Sequence, residues 1–348
     1  MAPWCYSSKV KFFGRLSVPE DQDQITRLMI EAMAIESSDS AVCPDMQNWK
    51  YWYPHPLAES SRSHVLLDGE TVIAHGARWP ILLRGAFGDR PAFHLIDWAA
   101  QRGTPGAGMQ ILRLCGENAA AVFSIGGSAM TKRILPAFGF SPQNRIVFLA
   151  RPLHPLQPAW HDSPRDWKMP ARLLRNLARF LAPPRVAFPA EWSISAIDAD
   201  AIPHALFPTA GPGEAVSVRN AALLRHMMTC PRIRSWQCYL LWRDKEARAY
   251  FCLARVADRI GVVDYGPARL DEAVSNVLAR AVRCAAAVDF ADCVEMRVAT
   301  TESPVEAGFA RAGFHVWRTE LIKVLKLDAA LKPVNNYRLT LLDWDAAC

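Results

Sequence analysis

From Asp97 to Leu112 a strand-like segment runs into Gly103-Thr104-Pro105-Gly106-Ala107-Gly108 and then into a helix-like segment. Such a loop can hold a phosphate without a charged side chain, because backbone N–H groups converge on it and the next helix presents its positive end. Gly106 and Gly108 matter here: without a Cβ they let pyrophosphate oxygens reach the main chain, and they accept positive φ. The cradle falls on Gly106, Ala107, Gly108, Met109 and Gln110, with Ile111, Leu112 and Leu114 pinning the helix to a sheet. The glycine spacing runs opposite to a dinucleotide fingerprint, and the Gly-Lys-Ser/Thr ending of a P-loop is absent. An ordinary tight turn is the alternative.

Upstream, His94 and Asp97 are the groups able to move a proton. Strand alternation puts His94, Ile96 and Trp98 on one face and Phe93, Leu95 and Asp97 on the other. An imidazole titrates near pH ~6.5 and can take up a proton at neutrality. A strand histidine bonded to a neighbour is the alternative for His94, and a structural carboxylate that anchors the strand end is the alternative for Asp97. Glu31 and Glu36 lie on or just after the first helix, where a solvated helix face explains them better than the border of a binding site does. His226 and Cys230 share a helical face, but Pro231 follows and no further ligands cluster nearby, so no metal site is expected. Trp49, Trp52, Trp79 and Trp98 read as core or as an aromatic acceptor pocket.

The elements that must position these groups form a repeating order. In the first copy a strand at 12–18 precedes an amphipathic helix at 21–35, with Ile25, Leu28, Met29, Ala32 and Met33 at helical spacing. A hairpin follows over 65–79 around Asp68-Gly69-Glu70, then a strand at 92–98, the glycine loop, a helix at 109–119, a strand at 121–125 and a helix ending at Phe138-Gly139-Phe140. Strands at 239–242, 248–256 and 260–265, a helix at 271–288, a strand at 294–298 and a helix ending at Ala312-Gly313-Phe314 retrace that order. Prolines crowd 152–189 around one helix at 171–181, as in a linker. The expected organisation is a first domain at 10–152, a linker at 153–188, a second domain at 189–326 and a tail at 327–348.

Length, composition and charge agree with two globular cores. The chain has 348 residues, 51% of them hydrophobic and 21% charged, which excludes a disordered or collagen-like class. Nine cysteines lack any CxxC pair and read as buried free thiols of a reducing compartment. With no signal-like start and no apolar stretch of membrane-spanning length, a cytoplasmic protein without a membrane partner is expected. The net charge of +6 is scattered apart from the stretch 165–185, so a nucleic-acid partner is not expected and an anionic small ligand is favoured.

The loop, together with Leu135-Pro136-Ala137-Phe138-Gly139-Phe140 and its echo Ala310-Arg311-Ala312-Gly313-Phe314, resembles the GNAT superfamily of acyl-coenzyme A-dependent N-acyltransferases, whose signature is Gln/Arg-x-x-Gly-x-Gly/Ala. Gly106 and Gly108 match its last two fixed positions. The leading basic position falls on Gly103, with Arg102 adjacent. The resemblance covers 10–150 and, more loosely, 190–325, as in a tandem-GNAT protein. It implies an α/β fold of the α+β, mixed-sheet kind: two tandem domains, each a mixed, mostly antiparallel sheet flanked by helices. It implies transfer of an acyl group, acetyl above all, from acyl-coenzyme A to the primary amine of a small-molecule acceptor by direct attack, with acetyl-coenzyme A as substrate and no metal. His94 would be the base, Asp97 a second catalytic group, and Trp98 and Arg102 would join the loop in binding coenzyme. Leu135 occupies the place of the family's tyrosine acid, and Ser128 that of a common asparagine. In the second copy the loop after Val263-Asp264-Tyr265-Gly266-Pro267 has no Gly-x-Gly, so that copy is expected to bind no coenzyme and to shape the acceptor cleft. A non-catalytic binding protein on the same scaffold and an aminoacyl-tRNA-dependent transferase are the competing implications.

Overall fold

The computed structural model describes residues 12–36, 42–154, 167–181, 188–267 and 271–343. Parts of the proline-rich linker (155–166 and 182–187), Cys5 and Cys348 lie outside them. In chain order the elements are β1 (Phe13–Leu16), α1 (Gln22–Met33), α2 (Pro44–Tyr51), β2 (Ser63–Asp68), β3 (Thr71–Gly85), β4 (Gly88–Ala100), α3 (Ala107–Gly116), β5 (Ala121–Ser124), α4 (Ala129–Ile134) and β6 (Ser141–Pro152). They continue as α5 (Met169–Leu181), β7 (Trp192–Ile197), β8 (Glu214–Ser217), α6 (Ala221–Met228), β9 (Ile233–Arg243), β10 (Glu246–Val256), β11 (Arg259–Gly266), α7 (Glu272–Asp289), β12 (Glu295–Thr300), α8 (Ser303–Arg311), β13 (His315–Lys326) and β14 (Asn336–Arg338).

Two compact units result. The first holds the described residues up to Gln143 with Leu321–Asn336, and the second holds Asn144–Glu320 with Tyr337–Leu342. In the first unit β1, β2, β3 and β4 pair antiparallel in that order, β5 joins β4 in parallel, and β13 closes the far side of β5 antiparallel. The parallel β4–β5 pair is the place where a helix must cross over, and α3 does so. Its residues Ala107, Ile111, Leu112 and Cys115 are buried at helical spacing against Leu66, Ile73, Phe93 and Leu95.

The second unit repeats the order. β7, β9, β10 and β11 are antiparallel neighbours, β12 joins β11 in parallel, and β6 closes antiparallel on β12. Helix α7 makes the crossover, burying Leu278, Ala281, Val282 and Ala285 in a core with Phe251, Val262, Met296 and Phe309. The expected boundary at 152 therefore differs from the units found. Asn144–Pro152 belongs to the second unit and Leu321–Lys326 to the first, because each stretch finds its ladder partner there. Sequence continuity says nothing about which sheet a closing strand joins.

Of the described cysteines, Cys115, Cys230, Cys238, Cys252 and Cys293 are buried and Cys284 is exposed. Among the described residues no helix is long and apolar enough to cross a membrane.

Candidate functional site

Strand β4 is continuous to Ala100, but its ladder with β3 carries an irregularity: Ala77 faces Ile96 while His75 faces Ala99. Two residues, Asp97 and Trp98, thus stand against Gly76. Asp97 takes the left-handed conformation, φ 50°, which Asp tolerates better than most side chains. This bulge corrects the alternation expected from a regular strand. Phe93, Leu95, Trp98 and Ala100 lie together in the core under α3, so Trp98 is on the face opposite to the one strict alternation gives it. One extra residue reverses every side chain beyond it.

Asp97 turns toward α2. Its Oδ2 accepts the Tyr51 hydroxyl at 2.8 Å and pairs with Lys50 Nζ at 3.3 Å, with Lys50 and Asp97 side chains only 6% and 10% exposed. Its carbonyl oxygen lies 2.9 Å from His75 Nδ1, and His75 Nε2 lies 3.1 Å from Ser63 Oγ. Full burial pulls the His75 pKa down to about 4, so the ring is neutral at pH 7 and uses one nitrogen as donor and one as acceptor. Arg62 fixes the end of α2: its Nε donates to the Lys50 carbonyl at 2.7 Å, Nη1 to that of Tyr53 at 2.9 Å, and Nη2 to that of Trp49. The Trp49 and Lys50 carbonyls are among those a helix end leaves without internal donors. Burial lowers the Arg62 pKa to about 10, still far above neutrality.

On its other edge β4 pairs with β5 only from Ala92 to His94. Beyond His94 a cleft of about 640 Å³ opens, walled by Leu95–Ala100 and Gly108 on one side and by Ser124, Ile125, Gly127, Ser128, Met130, Thr131 and Ile134 on the other, with Ala32 and Met33 at its rim. His94 sits where the strands part. Its Nε2 accepts the Ile125 N–H at 3.1 Å, so in the neutral ring the proton resides on Nδ1, and the lone pair a base would use is engaged by main chain. Ser128 caps α4 by accepting the Thr131 N–H at 3.1 Å. Leu135 is fully buried among apolar neighbours, so no acid stands there.

The glycine loop adjoins this cleft. Gly106 has φ 85° and starts α3, and a Cβ built on it would meet nothing within 4 Å, so open space lies over the turn. Trp98 Nε1 donates to the Gly108 carbonyl at 3.0 Å and ties the helix start to β4. First-turn amides such as those of Gly108 and Met109 have no intrahelical acceptor. Gln110 differs from this expectation, because its amide already donates to the Gly106 carbonyl at 2.9 Å and its side-chain Nε2 to the Phe12 carbonyl at 3.1 Å.

Of the residues singled out in the sequence, His94, Asp97, Trp98 and Gly108 line the main cleft. Arg102 lines a neighbouring one with Glu31, Ala32 and Gln101. Glu36 is exposed. Trp49 and Trp79 are buried against each other, ring centroids 5.4 Å apart. Lys50, Tyr51 and His75 escaped sequence reasoning; the one signal was a lysine between two aromatic residues, Trp49 and Tyr51, in a short segment. Among the described residues no group of three or more His, Cys, Asp or Glu is placed to hold a metal.

No family model matches the sequence, and no curated protein matches it in sequence. Solved structures match in fold. A GCN5-related N-acetyltransferase from Anabaena variabilis superposes with TM-score 0.55 at 9% identity, covering 91% of this chain and 73% of that one. A tandem GNAT protein from the clavulanic acid biosynthesis pathway gives 0.53 at 12% identity, over 91% and 98% of the two chains. N-myristoyltransferase of Saccharomyces cerevisiae gives 0.55 at 11% identity, over 100% and 86%. The fold is thus that of tandem acyltransferases of the GNAT kind: two α+β, mixed-sheet units, mostly antiparallel, flanked by helices.

Proposed function

We propose that the chain is an acyl-coenzyme A-dependent N-acyltransferase whose first unit binds the coenzyme and whose acceptor is the primary amine of a small molecule. The observation that carries this reading is the parting of β4 from β5 after His94, which opens a cleft bounded at one end by the glycine turn and the start of α3. An extended pantetheine suits the unpaired edge of β4, and pyrophosphate suits the first-turn amides of α3. Gly106, Ala107, Gly108 and Met109 are the loop residues assigned to it, with Arg102 beside them.

In the reaction the amine nitrogen attacks the thioester carbonyl, the C–S bond breaks, and coenzyme A leaves as thiolate. The nitrogen sheds a proton once attack has made it acidic, and Asp97 is the group we assign to accept it, held by Tyr51 and Lys50. His94 acts as a positioning residue that holds the Ile125 amide at the mouth of the cleft. Calorimetric titration with acetyl-coenzyme A, followed by thiol release over an amine panel, tests the assignment. Absence of binding sinks it. Leu135 in place of a tyrosine acid favours a second reading, a coenzyme-binding protein without turnover. Tight binding with no thiol release from any amine selects that one.

A further inference from the structure

Helix α5 in the second unit, Met169–Leu181, is amphipathic in sequence but seated unlike a helix covering a core. Leu173, Leu174, Leu177, Phe180 and Leu181 fall on one face, and Arg172, Arg175, Asn176 and Arg179 on the other. A helix at the surface of a water-soluble protein turns its apolar face inward. Here the buried residue is Asn176, while Leu174 is 69% and Leu181 64% exposed and Leu177 and Phe180 are also open. The seat is specific: Arg151 Nη2 donates to the Phe180 carbonyl at 3.3 Å and its Nη1 to the Gly313 carbonyl at 2.9 Å, fixing the C-terminal end of the helix.

Charge identifies what would cover the leucines. Lys168, Arg172, Arg175, Arg179 and Arg185 occur between Trp167 and Ala190 with no acidic residue among them. Trp167, 84% exposed with Lys168 Nζ 5.5 Å from its ring centroid, stands at the start of the helix. A row of leucines along the axis, with the exposed Lys168 and Arg175 on a polar face of one sign and an exposed tryptophan at its head, suits the boundary between headgroups and acyl chains of an anionic bilayer.

We propose that α5 is an interfacial helix that seats the protein on anionic phospholipid membranes, with Leu174, Leu177, Leu181 and Trp167 entering the interface and the exposed Lys168 and Arg175 pairing with lipid phosphates. This differs from the expectation of no membrane partner, which rested on the absence of a spanning segment and does not bear on a helix lying in the surface.

The test is flotation of the full chain with phosphatidylcholine vesicles and with vesicles carrying roughly a third phosphatidylglycerol, where each Lys or Arg at the surface should contribute about fivefold. Partition onto the anionic vesicles is expected to be at least ~10-fold higher and to fall as salt is raised. Arg175→Gln should cut binding about fivefold on anionic vesicles alone, and Leu174→Gln with Leu181→Gln should reduce it on both. All three side chains are exposed, so the melting temperature of the variants should match that of the parent. No partition onto anionic vesicles overturns the proposal. So does binding that a nucleic acid displaces and the leucine variant leaves intact, which would make the helix a polyanion site. A dimer in sedimentation that the leucine variant dissolves and vesicles do not compete with overturns it as well.

Discussion

Asp97→Asn keeps the shape of the side chain and its tolerance of the left-handed conformation but removes the charge that faces Lys50. The Tyr51 hydroxyl still has an oxygen to donate to, so the loss falls on the ammonium of Lys50, buried with the Asp97 carboxylate gone. Breaking a buried ion pair from one side costs about 3–5 kcal/mol, because the remaining charge keeps its desolvation penalty. We expect ~3 kcal/mol here, the low end, since Asp97 keeps 10% of its side chain exposed. Lys50→Met should cost a similar amount. The double variant removes both charges and should cost about 1 kcal/mol, giving a coupling of several kcal/mol. Peptide-resolved hydrogen exchange over 95–100 reads the effect where it arises, with each single variant opening the bulge about 100-fold more often and the double about fivefold. Single effects that simply add in the double variant would refute the idea that the pair holds the bulge. Unchanged exchange over 95–100 in both singles would refute it too.

Gly106→Ala should strain the loop by about 1–2 kcal/mol, because φ 85° is left-handed, and should weaken acetyl-coenzyme A binding by more than that strain explains, since the added methyl enters the open space over the turn; calorimetry beside a melting curve separates the two effects. His94→Ala removes the acceptor of the Ile125 N–H and should cost about 1–3 kcal/mol, whereas His94→Gln can restore it; recovery of turnover by Gln, which takes no proton, marks a positioning role, and loss in both variants marks a base. The His75 pKa falls from its ordinary value near 6.5 to about 4 in the folded state. Between those values the unfolded chain binds more protons, so the contribution is complete above pH ~6.5 and is lost as pH falls through about 4, at most ~3.4 kcal/mol. Urea midpoints measured from pH 7 to pH 4 should drop across that window, and a flat profile would count against a neutral buried His75. Burial raises the Cys115 thiol to about 12, so it should resist alkylation at pH 8 in the native protein while the exposed Cys284 reacts, as mass spectrometry of the labelled peptides would read.

Much of the fold was legible in the sequence wherever one local rule decided it. The helical spacing of Ile25, Leu28 and Met29, the Asp68-Gly69 turn and the crossover helix after the glycine loop all match observed elements, since periodicity and turn chemistry act over a few residues. The glycine turn itself was readable because only a residue without Cβ takes φ 85° at no cost. What the tertiary structure decided depends on partners distant in sequence. Strands β6 and β13 were not among the strands read from the sequence, and the sheets they join follow from ladder partners far along the chain. The face of Trp98 turned on one extra residue at Asp97, which no alternation count contains. The roles proposed for His94 and Asp97 rest on contacts with Ile125, Lys50 and Tyr51, 31, 47 and 46 residues away. A nitrogen cannot offer to a substrate the same lone pair it has given to a main-chain amide, and only the folded arrangement brings that amide to it.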